Sequence, residues 1–139
     1  MASGMRIQLC CVVVLASILT CAANAQSPSQ TVRPVGTWRG RSLCLVRRSP
    51  CHDETVVYRI TQRNVSDSVS IDARKIVRGE EEGMGVLACR LVSHGSQVLC
   101  VLPLGVWHFT VRNDSLTGEL RLNDNTRFRD VRTARAPND

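Results

Sequence analysis

The sequence predicts an all-β protein, an eight-stranded antiparallel up-and-down barrel, with a two-sheet β-sandwich as the alternative. Three observations carry that expectation. Within the stretch from Ser96 to Thr133, apolar residues recur at every second position: Trp107, Phe109 and Val111, then Leu116, Leu120 and Leu122 with Gly118 in the same phase. A period of two puts these side chains on one face of a strand, whereas a helix needs a period near 3.6. Asn113-Asp114-Ser115 and Asn123-Asp124-Asn125 punctuate the segments with residues that bond their own backbone and tolerate left-handed dihedrals, so the links are tight hairpins. No intervening segment offers three apolar turns of helix, and strands joined without a crossover pair antiparallel.

The chain opens with an export signal. Arg6 gives a positive start, Ile7 to Thr20 is an apolar run, and Ala23-Asn24-Ala25 has the small-x-small cleavage pattern, so residues 1–25 read as a signal peptide. The expected location is secreted or periplasmic, with no transmembrane helix after signal removal. Removing 25 of the 139 residues leaves 114, enough for one domain with one core.

Residues 26–34, with Pro28 and Pro34, read as a flexible leader of the mature form, residues 35–134 as a single barrel domain, and 135–139 as a tail. The first strand runs from Trp38 to Arg48, ended by the turn Ser49-Pro50-Cys51-His52-Asp53, because proline cannot donate into a ladder. Glu54 to Gln62 is the second strand, with Val56, Tyr58 and Ile60 on one face. Ser68 to Val77 is the third, with Val69, Ile71 and Ala73 in phase and a bulge or strand end expected near Lys75-Ile76-Val77. Residues 79–83 carry three adjacent glutamates that repel one another, and read as a solvated, mobile loop. Met84 to Val92, Gln97 to Leu102, Val106 to Arg112, Leu116 to Leu122 and Thr126 to Thr133 complete eight strands. Closing them into a barrel removes the exposed edges that an all-sheet protein must otherwise protect.

Cys10, Cys11 and Cys21 leave with the signal, and Cys44, Cys51, Cys89 and Cys100 remain. Four cysteines in an exported small domain read as two disulfides, for which sequence permits three pairings. The expected pairing is Cys44–Cys51 within the first hairpin and Cys89–Cys100 across neighbouring strands, where Leu87, Cys89 and Leu91 share one facing and Val98, Cys100 and Leu102 another. Zinc and thiol-exchange sites both lack their short Cys-x-x-Cys knuckle.

Of 18 Lys and Arg residues, Arg6 belongs to the signal peptide, leaving 17 cations against 12 acids and a balance of +5. That balance favours anionic partners in solution encounters. With one tyrosine and two phenylalanines the chain has few stacking platforms, so nucleic acid is not the expected partner.

Gly36-Thr37-Trp38, at the start of an exported eight-stranded meander, resembles the opening of the calycins, the lipocalins and the avidin family. The resemblance implies that Trp38 closes the barrel floor as the lipocalin tryptophan does against an arginine from after the last strand, with Arg129 or Arg132 in a similar part. The chain is shorter than a lipocalin, lacks its terminal helix and has too few aromatics for an avidin-type pocket. It is similar also to small periplasmic metalloprotease inhibitors, exported barrels with a tryptophan on the first strand and one disulfide, which act through their N-terminal segment.

Trp38, Tyr58, Leu87, Trp107, Phe109, Leu120 and Phe128 are the expected ligand-facing or core-lining residues. The inward leucines and valines argue for a filled interior, with function on loops or edges, whereas a hollow between Tyr58, Leu87, Phe109 and Leu120 would point to a small apolar ligand. His52, Asp53 and Glu54 are the one cluster of acid, base and metal-ligand groups, but His52 in a turn reads as solvent-facing and no metal or other cofactor is expected. His108 lies opposite Trp107 and Phe109 in phase and reads as an outward residue. No serine sits in a nucleophile elbow. The chain therefore reads as a noncatalytic exported binding protein that engages a protein, peptide or small apolar ligand through barrel mouth or loops. The alternatives are an inhibitor of a secreted protease, acting through Gln26–Pro34 or the Cys44–Cys51 hairpin, and a structural envelope protein.

Overall fold

A computed structural model describes residues 33–137, so the expected signal peptide and nearly all of the expected leader lie outside the described residues. Eight antiparallel strands follow one another around a closed barrel: β1 (Gly36–Cys44), β2 (Glu54–Gln62), β3 (Ser68–Val77), β4 (Glu80–Val92), β5 (Gln97–Leu102), β6 (Gly105–Arg112), β7 (Ser115–Leu122) and β8 (Arg127–Arg135), with β8 returning to pair with β1. Short hairpins join them. Arg78 and Gly79 turn β3 into β4, both with positive φ, and Asn113 at φ 51° opens the two-residue link from β6 to β7.

One end of the barrel is solidly packed. Trp38, Ile60, Val69, Ile71, Val98, Val111, Leu116 and Val131 are buried there, alternating with outward positions that are polar on most strands and apolar at Val57, Val86, Leu99 and Val101. Trp38 donates its indole N–H to Pro34 O at 2.8 Å, and the Arg135 guanidinium lies 4.2 Å from its ring centroid while donating to Val35 O and Arg33 O. The stacking arginine is thus Arg135, not Arg129 or Arg132. The β1–β8 register decides this, because Trp38 stands opposite Arg135 whereas Arg129 stands opposite Cys44 at the other end and Arg132 points outward beside Arg41. Arg135 is also the last residue of β8 rather than the start of a tail.

Cys89–Cys100 crosses from β4 to β5 inside the core, and Cys44–Cys51 closes the loop between β1 and β2. The first strand stops at Cys44 rather than Arg48. From there the chain turns away, held by the disulfide and by Asp53 Oδ1, which accepts the Cys44 N–H at 2.8 Å.

The larger difference concerns residues 79–83. Instead of a loose charged loop, Glu80 to Gly83 continue β4, so that β3 and β4 form a hairpin arm pairing Val77 with Glu80. The bulge lies not at Lys75–Val77 but where Ala73 faces Gly85 and Arg74 faces Gly83, leaving Met84 unopposed. Gly85 sits there at φ 124°, a conformation costly for any residue with a Cβ. Glu81 takes two hydrogen bonds from Arg59, at 2.7 and 3.0 Å, and stands 3.5 Å from Arg39 and 3.9 Å from Arg74. Val57 points outward between Arg39 and Arg74 in the cross-strand row, yet it is 0% exposed. Like-charge repulsion among the glutamates is therefore outweighed by arginines from three strands that converge over an outer apolar residue.

Candidate binding site at the open end of the barrel

The opposite end is hollow. A cavity of about 220 Å³ is bounded by Ser42, Glu54, Tyr58, Ala73, Met84, Leu87, Trp107, Phe109, Leu120 and Arg129. Its walls come from seven strands, and the reason for the space is side-chain size. Inward positions at this level carry Ser42, Ala73 and Gly85, whereas the packed end carries branched aliphatics.

The aromatic wall is continuous. Trp107 and Phe109 stack with centroids 5.0 Å apart and planes 15° from parallel, and Tyr58 meets Phe109 edge-on at 5.7 Å. The Phe109 ring lies over Gly118 of β7, close enough that a Cβ there would fall 2.4 Å from Cδ1. Facing the aromatics is a polar corner. Arg129 reaches Glu54 Oε2 at 3.2 Å, donates to Ser42 Oγ at 2.9 Å and donates to the His52 carbonyl oxygen at 3.2 Å. Burial pushes the Tyr58 phenol well above its ordinary range, a shift opposed by the nearby Arg129 charge, so this hydroxyl stays protonated across the physiological range.

Five of the residues read from the sequence as ligand- or core-lining come together here: Tyr58, Leu87, Trp107, Phe109 and Leu120. Trp38 does not, since it closes the packed end. Phe128 does not line the cavity either, because the register shift at Leu120/Arg121 leaves it without a partner on β7. The expectation of a filled interior thus holds for one half of the barrel and fails for the other. Ser42, Ala73, Met84 and Arg129 were not expected in the site. Three of them had a signal: Ser42 is in phase with Trp38, Ala73 with Ile71, and Arg129 with Val131, so a polar or small residue stood on an inward position. Met84 had none, because the bulge shifts its phase.

The His52, Asp53 and Glu54 cluster is taken apart by the fold. His52 is exposed with Nδ1 against Pro50 O, Asp53 caps Cys44 and lies 3.7 Å from Arg41, and only Glu54 turns into the mouth. Among the described residues no three His, Cys, Asp or Glu side chains are grouped to hold a metal ion. His108 is exposed on the outer face of β6, in a cross-strand row with Glu119 and Asp130. Both of those carboxylates are tied to arginines, Glu119 to Arg121 and Arg127, and Asp130 to Arg127.

The cavity can enclose an apolar body against its aromatic wall while the Glu54–Arg129 corner holds a polar end. Among the described residues no helix is long and apolar enough to cross a membrane. The architecture is consistent with the broad calycin-like barrel fold, and comparison with known proteins found no matching family model, no matching curated protein and no matching solved structure.

Proposed function

We propose that the protein is an exported, noncatalytic binding protein that takes a small, largely apolar ligand into the open end of its barrel. The observation that carries this reading is the 220 Å³ hollow lined by Tyr58, Leu87, Trp107, Phe109 and Leu120. Interiors are normally filled to crystal-like density, and a pocket of about seven water volumes at the mouth leaves its aromatic and aliphatic lining without packing partners on one side. A binding role accounts for that concession. The polar groups at the mouth are engaged with one another, Arg129 with Glu54 and Ser42, an arrangement that orients a guest rather than one that moves protons.

The test is a titration with toluene followed by NMR of the Tyr58, Trp107 and Phe109 ring signals, in the unaltered protein and in Ala73→Leu. Ala73 borders the hollow and is 6% exposed, so leucine there fills the space from β3. Saturable shifts are expected in the unaltered protein and are lost in the variant, whose stability changes by less than about 1.5 kcal/mol because the void absorbs the added volume. Absence of saturable shifts, or equal shifts in both proteins, overturns the reading. Export is tested separately by the N-terminal sequence of protein recovered from its native compartment, which should begin at Gln26.

A further inference from the structure

The polar corner of the cavity restricts what kind of head group a guest can carry. Arg129 and Glu54 are the cation and the anion bordering the hollow, 3.2 Å apart and with side chains only 14% and 15% exposed. Their charges cancel. A carboxylate guest would gain Arg129 but meet Glu54 at short range, and an ammonium guest would gain Glu54 but meet Arg129. Either leaves one uncompensated charge in a poorly solvated pocket, where such charges are costly.

The corner nevertheless has hydrogen bonds to offer in both senses. Of the five N–H groups of a guanidinium, Arg129 directs contacts to Ser42 Oγ, Glu54 Oε2 and His52 O, so donors remain. Glu54 uses Oε2 for Arg129, and its Oε1 stands 3.9 Å from His52 Nε2, beyond hydrogen-bond reach, so acceptor lone pairs remain beside the donors. On the other side of the hollow the stacked Trp107 and Phe109 present a flat apolar wall.

Resting on the reading of the mouth as a ligand site, we propose that its ligand is uncharged and bifunctional at the head: a planar apolar or aromatic body ending in a group that both donates and accepts, such as a primary or secondary amide, a lactam or a urea. The head's N–H meets Glu54, its carbonyl oxygen meets Arg129, and the body lies along Trp107 and Phe109. The volume admits a body of single-ring size.

Three probes with one body and different heads test this: 3-phenylpropanamide, 3-phenylpropanoate and 3-phenylpropylamine, titrated calorimetrically into the protein with both disulfides intact. The amide should bind at least tenfold more tightly than either ion. Glu54→Gln removes the anion and should reverse the order in favour of the propanoate, and Arg129→Met should reverse it in favour of the amine, with each variant checked for its β-sheet circular dichroism. If the propanoate or the amine binds the unaltered protein as tightly as the amide, the proposed head group is wrong, whatever the variants do. If toluene binds at the same site but none of the three probes does, the head-group inference falls and the cavity reading stands. If toluene also fails, both fall together.

Discussion

Gly118→Ala joins the packing of the barrel to the capacity of its cavity. An alanine Cβ at this position would stand 2.4 Å from Phe109 Cδ1 and 2.6 Å from Cε1. Comfortable carbon contacts lie at about 3.5–4.0 Å, so the ring must retreat by roughly 1–1.5 Å. The obstacle is a side chain, and the ring has room to move, because Phe109 itself borders the hollow. The cost should therefore fall at the low end of overpacking, about 1 kcal/mol. Gly40→Ala makes the contrast. Its Cβ would meet Arg132 O at 2.1 Å and Thr133 Cα at 2.7 Å, backbone atoms that yield only if β1 and β8 part. That variant should lose about 3 kcal/mol or more. Urea denaturation of both variants reads the difference. The same displacement of Phe109 narrows the cavity, so Gly118→Ala should weaken toluene binding at least fivefold while keeping most of its stability. If Gly118→Ala costs as much as Gly40→Ala, or binds toluene undiminished, then the hollow does not take up the ring, and Gly118 and Phe109 do not set the capacity of the cavity.

The two disulfides should differ in what their removal does. The bridged cysteines are separated by 7 and 11 positions, for which loop-closure entropy gives about 2.4 and 2.8 kcal/mol, nearly the same. Cys89 and Cys100 are buried in the core whereas the Cys44 loop is at the rim, so replacing the former pair by alanine also leaves a void and should cost about 4 kcal/mol against about 2 for the latter. Equal losses in urea denaturation would mean that the sulfurs contribute no packing. The arm formed by β3 and β4 should respond to acid. Hydrogen bonds from Arg59, aided by the charges of Arg74 and Arg39, hold the Glu81 carboxyl below its ordinary range. A carboxylate depressed by folding contributes stability above its unfolded value, about 4.3, and loses it as pH falls through the lower folded value. Amide-exchange protection in residues 76–83, taken relative to the intrinsic rate at each pH, should therefore fall below about pH 4 before that of the barrel strands does, and Glu81→Gln should show the lower protection already at neutral pH. Arm and barrel exchanging in step across that range would show that Glu81 does not latch the arm.

How much of this could be read from the chain depends on whether the deciding interaction was local. The β2, β3 and β5 strands end where the sequence placed them, because their limits are set by nearby turn residues such as Arg63-Asn64 and Pro103. The arm was not legible in the same way. Glu80 to Glu82 in isolation repel, and the partners that reverse this, Arg39, Arg59 and Arg74, lie on three strands brought together by pairing register. Register likewise decided between Arg129, Arg132 and Arg135 as the cover of Trp38, since all three are arginines near the chain's end and only the β1–β8 pairing distinguishes them.

The cavity is the instructive intermediate case. Alternation reports which side chains point inward but not at what height along the barrel they sit, so a list of inward leucines and valines looks like a full core. Once register assigns heights, three of the small inward residues prove to lie near the mouth. Ser42, Ala73 and Gly85 stand near the mouth, while Ile60, Ile71, Val98, Val111 and Leu116 fill the other end. A charged pair sits at the same level as the small residues, and the two facts support each other. Arg129 and Glu54 could not be accommodated among the branched aliphatics without losing the water and partners they need, and a tightly filled mouth would leave no room beside them. Arg129, two positions before the inward Val131, is thus the β8 arginine that marks the hollow end, whereas Arg135 in the same phase lies over Trp38 at the packed end, and that phase is read by counting back from Val131 and Thr133 rather than forward across the unopposed Phe128.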